Sequence, residues 1–403
     1  MSTQPRKVVL SVEQALAMPY ATLRLVHLGW RVIRLEATPQ AGRRSKGDPN
    51  RYIGRPVAGE DRHSYFVGPN VGKEAISVDL KQAEGRALLH RLVRELPVDV
   101  FCTNTLPARH RELGFDYGSL QRERADLVWC AISAMGIAHG EVPGYDPVVQ
   151  ALCGYMDLTG QPDGPPLQCG PPITDLKAGD EAFAQIMLAL MERAETGKGK
   201  QIDISMMHGA VSWLHTFLPM LDMGSPPEEL RRSGNEHRQF IPTNSYPASD
   251  GFVYMALGSD VQWARFVKQP MFAELDEPRY HTNEGRRTNK VELHASIGRV
   301  MSRHPAAKIS EALTAAAIPH SPITPIEQVP DLPFVAQAAL STVTPDGRTV
   351  RLPPPAVPTP YLEQIGRRLP FAPRFGEHTD SVLAEVGLTA SEIADLRAAG
   401  VVA

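Results

Sequence analysis

A carboxylate at the start of a helix can cap free backbone N–H groups, or it can attack an electrophilic carbonyl. Asp175 is such a carboxylate. It lies in Thr174-Asp175-Leu176, near the end of a stretch, residues 144–179, that is dense in turn formers. Gly144, Gly154, Gly160, Gly164, Gly170 and Gly179 alternate there with Pro147, Pro162, Pro165, Pro166, Pro171 and Pro172. Such punctuation sets short apolar pieces beside sharp bends. The helix that follows carries Phe183, Ile186, Met187 and Leu190 at i, i+3, i+4 and i+7, with Gly197 as its stop. On these residues alone Asp175 reads as a cap or as a nucleophile.

Composition narrows the class. With 42 basic and 45 acidic residues the formal net charge is −3, which lacks the basic excess of a nucleic-acid binder. No apolar run approaches the ~18 residues of a membrane span, and the first residues, MSTQPRKVVLSVEQ, have no long apolar signal region. Cys102, Cys130, Cys153 and Cys169 are widely spaced without a CxxC. They read as buried thiols of a reducing compartment, not as a zinc site or disulfide frame. The expectation is a cytoplasmic globular protein without nucleic-acid or membrane partners.

The elements that must position Asp175 alternate in type. Residues 19–28 predict a helix and 31–35 a strand, and 37–72 reads as a long loop. Then come strand 75–80, helix 82–96, strand 98–102, a helical region over 109–124, and strand 127–132. Strand 201–206 and a helical pattern over 207–223 follow the Asp175 helix. This order predicts an α/β fold with a Rossmann-like, open parallel sheet. GxGxxG is nevertheless absent after every predicted strand, as is GxxxxGK[ST], so the topology does not imply a dehydrogenase or P-loop enzyme. After the linker-like GSPPEE (224–229), strand 251–258 and helices over 260–272, 290–304 and 307–317 predict a second, smaller α/β domain. PPPAVPTP (353–360) reads as extended linker.

Six blocks together resemble the family III CoA-transferases, the group that includes α-methylacyl-CoA racemase. They are ALAMPYATLRLVHLGWRVIRLE at 15–36, NVGKEAISVDLKQAEGRALLHRLV at 70–93, the block 143–179, ETGKGKQIDISM at 195–206, GNEHRQFIPTNSYPASDGFVYMALGSDVQW at 234–263, and FGEHTDSVLAEVGL at 375–388. The resemblance implies a large Rossmann-like domain over 1–224, a small domain over 225–330, and a C-terminal segment, 331–403, returning to the large one. It also implies an interlocked dimer, with a second copy or with a paralogous subunit.

The family's catalytic aspartate falls on Asp175 in the DLKAG motif. The implied reaction moves CoA from an acyl-CoA donor to a carboxylic acid through an aspartyl anhydride and an aspartyl-CoA thioester. CoA thioesters are substrates in that scheme, and no tightly bound cofactor or metal is needed. At a helix start the dipole would favour ionised Asp175 by roughly 0.3–1 kcal/mol. Arg34, Lys73, Asn104 and Arg109 become candidate CoA contacts by resemblance, since CoA phosphates call for cations. Tyr145 joins them, standing where racemase members carry a catalytic histidine; that departure leaves two-base epimerisation unsupported. Members acting on oxalate have a glycine-run lid where this chain has GNEHRQF, so His237 and Arg238 become candidates for a second acceptor carboxylate. The implied acceptor is a dicarboxylic or aryl-substituted acid such as (R)-benzylsuccinate, with succinyl-CoA as donor. The alternatives are an acyl-CoA racemase on the same fold, or a non-catalytic CoA-binding subunit of a heteromeric transferase.

Overall fold

The computed structural model describes residues 6–39 and 46–403. Short runs rich in Val, Ile, Leu and aromatic residues form β1 (Val8–Val12), β2 (Arg31–Glu36), β3 (Glu74–Ser77), β4 (Val98–Thr103), β5 (Val128–Ser133) and β6 (Lys200–Ser205). They make one six-stranded sheet in the order β3-β2-β1-β4-β5-β6, parallel at every pairing. β1, β2, β4 and β5 are buried along almost their whole length, as strands covered by helices on both faces must be. The chain leaves β3 and re-enters as β4 on the other side of β1, so the strand order reverses between β1 and β4. Ligand crevices of open α/β sheets lie at such reversals, beyond the carboxyl ends of the strands.

The predicted strands at 31–35, 75–80, 98–102, 127–132 and 201–206 all form, and the helix expected at 82–96 spans Ala83–Glu95. β1, in the middle of the sheet, was not anticipated. Part of the loop read over 37–72 folds into a 3-10 turn, Pro49–Tyr52, and a helix, Ser64–Asn70; its residues 40–45, like residues 1–5, lie outside the described residues. The helix expected over 109–124 shrinks to Tyr117–Glu123 because Gly114 turns left-handed, with φ +75°. The pattern over 207–223 splits into Met206–Ser212 and Leu218–Asp222, since Pro219 cannot continue a preceding helix and can only start a new one.

Two compact units result. The larger comprises the chain up to Cys153, Gly170–His215 and Pro330–Ala403; the smaller comprises Gly154–Cys169 and Thr216–Val329. The small-domain start read at 225 therefore falls later than the observed crossing, and residues 154–169 belong to the smaller unit. In the larger unit, Val382, Leu383, Ile393 and Val402 of the C-terminal segment join Leu89, Phe101 and Trp129 in one core. That segment also contributes an antiparallel hairpin, Leu340–Val343 with Thr349–Leu352. The smaller unit is built on Thr243–Ala248 (β7), Gly251–Ala256 (β8) and His320–Pro322 (β9), antiparallel in that order. Its core is mainly aliphatic around an aromatic group, with Phe266 stacked on Phe272 at 4.1 Å and Trp263 beside them. Helices pack with this antiparallel sheet in the smaller unit, which mixes the two element types as the sequence led one to expect. Cys102, Cys130 and Cys153 are buried free thiols, whereas Cys169 is only half-buried. No helix of the described residues is long and apolar enough to cross a membrane.

Candidate active site

Asp175 stands in the first turn of the helix Ile173–Thr196, the longest of the described chain. It is not the cap of that helix. The N-cap position is Pro172, whose side chain caps nothing, and the capping is done from a distance by Asp146. Asp146 opens the short helix Asp146–Leu152 and is buried. Its Oδ1 accepts from Thr174 N at 2.7 Å, Thr174 Oγ1 at 2.7 Å and Asp175 N at 3.3 Å, and its Oδ2 accepts from Gln150 Nε2 at 2.6 Å.

The consequence reverses the helix-dipole expectation. The N–H groups that would have steadied an Asp175 carboxylate already serve Asp146. Burial, and then the Asp146 charge, push the Asp175 carboxyl up to about 7. A carboxylate with that affinity for a proton is more basic, and so a stronger nucleophile, than an exposed aspartate.

Gly179, the last residue of the DLKAG motif, has a packing task. A Cβ there would stand 2.8 Å from Ala17 O and 2.7 Å from the Tyr20 ring. Only glycine lets the Asp175 helix lie this close to the helix Ala17–His27. Lys177, two residues after Asp175, holds its ammonium 5.4 Å from the Trp213 ring centre and pairs with Glu181. Tyr145 immediately precedes the Asp146 helix and is 72% exposed. The carboxyl neighbour of Asp175 is Asp146 and not an imidazole, so the second base that epimerisation needs has no counterpart here.

A cavity of about 490 Å³ opens at the carboxyl ends of β1 to β4, around the strand reversal. Glu13 and Gln14 follow β1, Glu36 ends β2, Lys81 follows β3, and Thr105 and Arg109 follow β4. Asn104 shapes this rim: its Oδ1 accepts from Gln14 N at 3.0 Å and its Nδ2 donates to Gln14 O at 2.8 Å. That double bond to one residue holds the turn in which Ala15 takes a φ of +59°, a strained conformation of the kind found at binding sites. Asp175 does not line this cavity.

Two of the expected CoA contacts, Arg34 and Lys73, are engaged inside the protein. Arg34 is fully buried, with Nη2 at 2.9 Å from both Glu36 and Asp48 and its plane 4.6 Å from the Phe66 ring centre. Lys73 is buried too, donating to Glu13 at 2.7 Å, Pro19 O at 2.9 Å and Asn70 at 3.2 Å. Neither can meet a phosphate without breaking these bonds. Arg51, also fully buried, completes the array by pairing with Glu36 at 2.7 Å. This array also explains the missing dinucleotide chemistry. Glu36 ends β2, where a Rossmann dehydrogenase keeps the acid that binds ribose, but here that acid is held between two arginines. Among the described residues, the cations that line the cavity are Arg109 and Lys81. Lys81 stands in the VDLK stretch of a matching block but is not among the CoA contacts the resemblance implies. The usable signal was its place just past the carboxyl end of a predicted strand, whereas Lys73 precedes that strand.

In the smaller unit, residues including Phe217, Met220, Glu229, Glu236, His237, Arg238 and Tyr254 line a second cavity of about 520 Å³. His237 Nδ1 accepts from Gln239 N and Phe240 N, each at 3.1 Å, which leaves the ring proton on Nε2. Arg238 donates to Arg231 O at 2.6 Å and lies 5.1 Å from the Phe217 ring centre. Its Nε is buried with no hydrogen-bond partner among the described residues, the mark of a donor that lacks its acceptor.

A Rossmann-type sheet without a dinucleotide fingerprint, a cavity at its reversal with Lys81 and Arg109 in its lining, and an aspartate of raised proton affinity in a helix's first turn fit an acyl-CoA enzyme. The sequence profile of CoA-transferase family III matches residues 7–379. The chain belongs to that family and is a CoA-transferase, acting between acyl-CoA thioesters and carboxylic acids. It is 32% identical over 391 residues to a succinate–glutarate CoA-transferase of Agrobacterium fabrum, covering 94% of each chain. It is 29% identical to the human succinyl-CoA:glutarate CoA-transferase, covering 98% of this chain and 88% of that one. Among solved structures, a CaiB/BaiF family protein from Brucella suis superposes with a TM-score of 0.82 at 29% identity, covering 94% and 98% of the two chains.

Proposed function

We propose that Asp175 is the nucleophile of a two-stage CoA transfer between dicarboxylic acids. Its carboxylate attacks the thioester carbonyl of the donor, forming an acyl–aspartyl anhydride and releasing CoA thiolate. The thiolate then attacks the aspartyl carbon of the anhydride, giving an aspartyl-CoA thioester and the free donor acid. The acceptor carboxylate attacks that thioester, and the released thiolate attacks the acceptor carbonyl of the new anhydride. The products are acceptor-CoA and the original carboxylate, with no net proton transfer.

The observation that carries this reading is the Asp175–Asp146 pair: a raised carboxyl whose own N–H is already capped. Lys81 and Arg109 are our candidates for the CoA phosphates, and Arg238 in the smaller unit's cavity is our candidate for the remote carboxylate of the acid. Succinyl-CoA as donor and glutarate-like acceptors follow from the names of the relatives above. An aryl-substituted acid such as benzylsuccinate would need an aromatic seat for its ring, and only Phe217 and Tyr254 in the smaller unit's cavity supply one. Incubating the protein with succinyl-CoA and hydroxylamine tests the covalent step. An Asp175 hydroxamate should appear in the peptide mass map, and full turnover with Asp175 unmodified would overturn it.

The same reading includes the interlocked pair of chains, here a second copy of this one. Supporting it are large apolar side chains left in the open: Ile326 is 82% exposed, Phe334 74% and Val357 73%. Sedimentation at micromolar concentration should give a dimer. A monomer with a cooperative melt would remove this part.

A further inference from the structure

The segment that carries His237 and Arg238 is tethered at almost every residue. Ser233 Oγ donates to Glu236 O at 2.9 Å, Asn235 to Ser245 Oγ at 2.8 Å, and His237 N to Thr243 O at 2.9 Å. Asn283 donates to Gln239 O at 2.9 Å and accepts from Ile241 N at 3.2 Å. The strongest tether is ionic. Glu236 Oε1 accepts from Lys290 Nζ at 2.5 Å, and its Oε2 lies 3.1 Å from His294 Nε2, out of line for a full hydrogen bond. Lys290 and His294 are one turn apart on the helix Lys290–Met301. Behind them Tyr246, 2% exposed on β7, places its hydroxyl 2.6 Å from His294 Nδ1.

The proton positions follow from the surroundings. Burial, and then the Glu236 charge, push the Tyr246 phenol well above its ordinary range, so it stays protonated and donates to His294 Nδ1. Burial also pushes the His294 imidazole down, so it is neutral at pH 7 with its proton on Nε2, facing Glu236. A tyrosine–histidine–glutamate row with a lysine is more than a solvated surface loop requires.

We propose that Glu236, held by Lys290 and by the Tyr246–His294 row, clamps residues 233–241 as a fixed wall of the acid cavity and thereby sets acid selectivity. The clamp residues are positioning residues: they keep His237 and Arg238 where a remote carboxylate must bind. Where a glycine-run lid would adapt to its substrate, this wall is organised in advance and selects by distance and charge. The inference rests on the reading of the cavity as the acid site.

The test compares kcat/KM for a dicarboxylic acceptor, glutarate, with that for its monocarboxylic counterpart, butyrate. Glu236→Gln keeps the shape and removes the pairing charge. Tyr246→Phe removes only the hydroxyl behind His294. Each should lower the glutarate-to-butyrate ratio at least fivefold, and Tyr246→Phe should leave butyrate within twofold of wild type. A general loss of structure would lower both acids together along with the melting temperature, and that outcome would overturn the clamp. So would an unchanged ratio in both variants. Arg238→Ala separates the two layers: if it collapses the ratio while the clamp variants do not, the clamp alone fails. If Arg238→Ala also leaves the ratio intact, the reading of the cavity fails.

Discussion

Replacing Asp175 with Asn should lower turnover by at least about three orders of magnitude and, above pH 7, make the protein more stable. The first half follows because a carboxamide cannot supply the oxygen that forms the anhydride. The second half follows from the pair. Burial and Asp146 raise the Asp175 carboxyl from its ordinary value to about 7, so between those two values the folded state binds more protons than the unfolded one. Stability therefore falls as pH rises through that window; the penalty is complete above about pH 7 and gone below about pH 4. A neutral amide of the same shape escapes it, with an expected gain of about 1–3 kcal/mol at pH 8 that fades toward pH 5. Wild-type kcat/KM should rise with pH to a plateau above about 7, as the nucleophile ionises. Melting curves of both proteins at pH 5 and pH 8, with initial rates on fresh protein, check all three. Asp175→Ala, which cannot deamidate back to aspartate, should match the loss of rate. An Asn variant less stable than wild type at pH 8 would mean that Asp175 makes a structural bond and carries no charge penalty.

The sheet and Asp175 were legible for different reasons. Buried parallel strands read as apolar runs bounded by helical periods, so β2 to β6 could be placed within a few residues. β1 could not, because its five residues, Val8–Val12, are a short apolar run that periodicity alone does not assign. Asp175 could be singled out through its block, but its partner could not. Asp146 is 29 positions away, and only the fold brings it to the helix start. The cations show the same limit more sharply. Arg34, Lys73, Lys81 and Arg109 are equal as letters, and what separates them is whether a carboxylate from elsewhere in the chain reaches them first. Glu13 reaches Lys73 from 60 positions away and Asp48 reaches Arg34 from 14, separations that no periodicity records. The antiparallel sheet of the smaller unit was hidden by Pro247 within β7; proline argues against a central strand, and β7 is an edge strand where it is tolerated.

Lys73→Met should destabilise the protein by about 3–5 kcal/mol, a large part of a typical domain's stability. The variant leaves Glu13 buried with only the Ser11 hydroxyl at 2.8 Å and the Thr22 hydroxyl at 2.7 Å as close donors. In the native pair, burial opposes the Glu13 charge, but Lys73 and then Arg34 outweigh it and hold that carboxyl below its usual range. Burial in turn draws the Lys73 ammonium down to about 8, against the pull of Glu13. Each charge is tolerable only because of the other. The double variant Glu13→Gln/Lys73→Met removes both and should recover most of the loss, which a denaturant titration of the three variants would show. Lys81 should behave in the opposite way. It is exposed on the cavity rim with no buried partner to strand, so Lys81→Ala should leave the melt within about 0.5 kcal/mol of wild type. Loss of its charged contact with a CoA phosphate should instead weaken CoA about 10- to 100-fold, a cost of roughly 1.5–3 kcal/mol in calorimetric titration. A Lys73→Met protein of normal stability but weak CoA binding would return Lys73 to the phosphate and take Lys81 off it. The expected result is the crossed one, with stability lost at Lys73 and affinity lost at Lys81, because a buried cation answers to its counter-charge and an exposed one to its ligand.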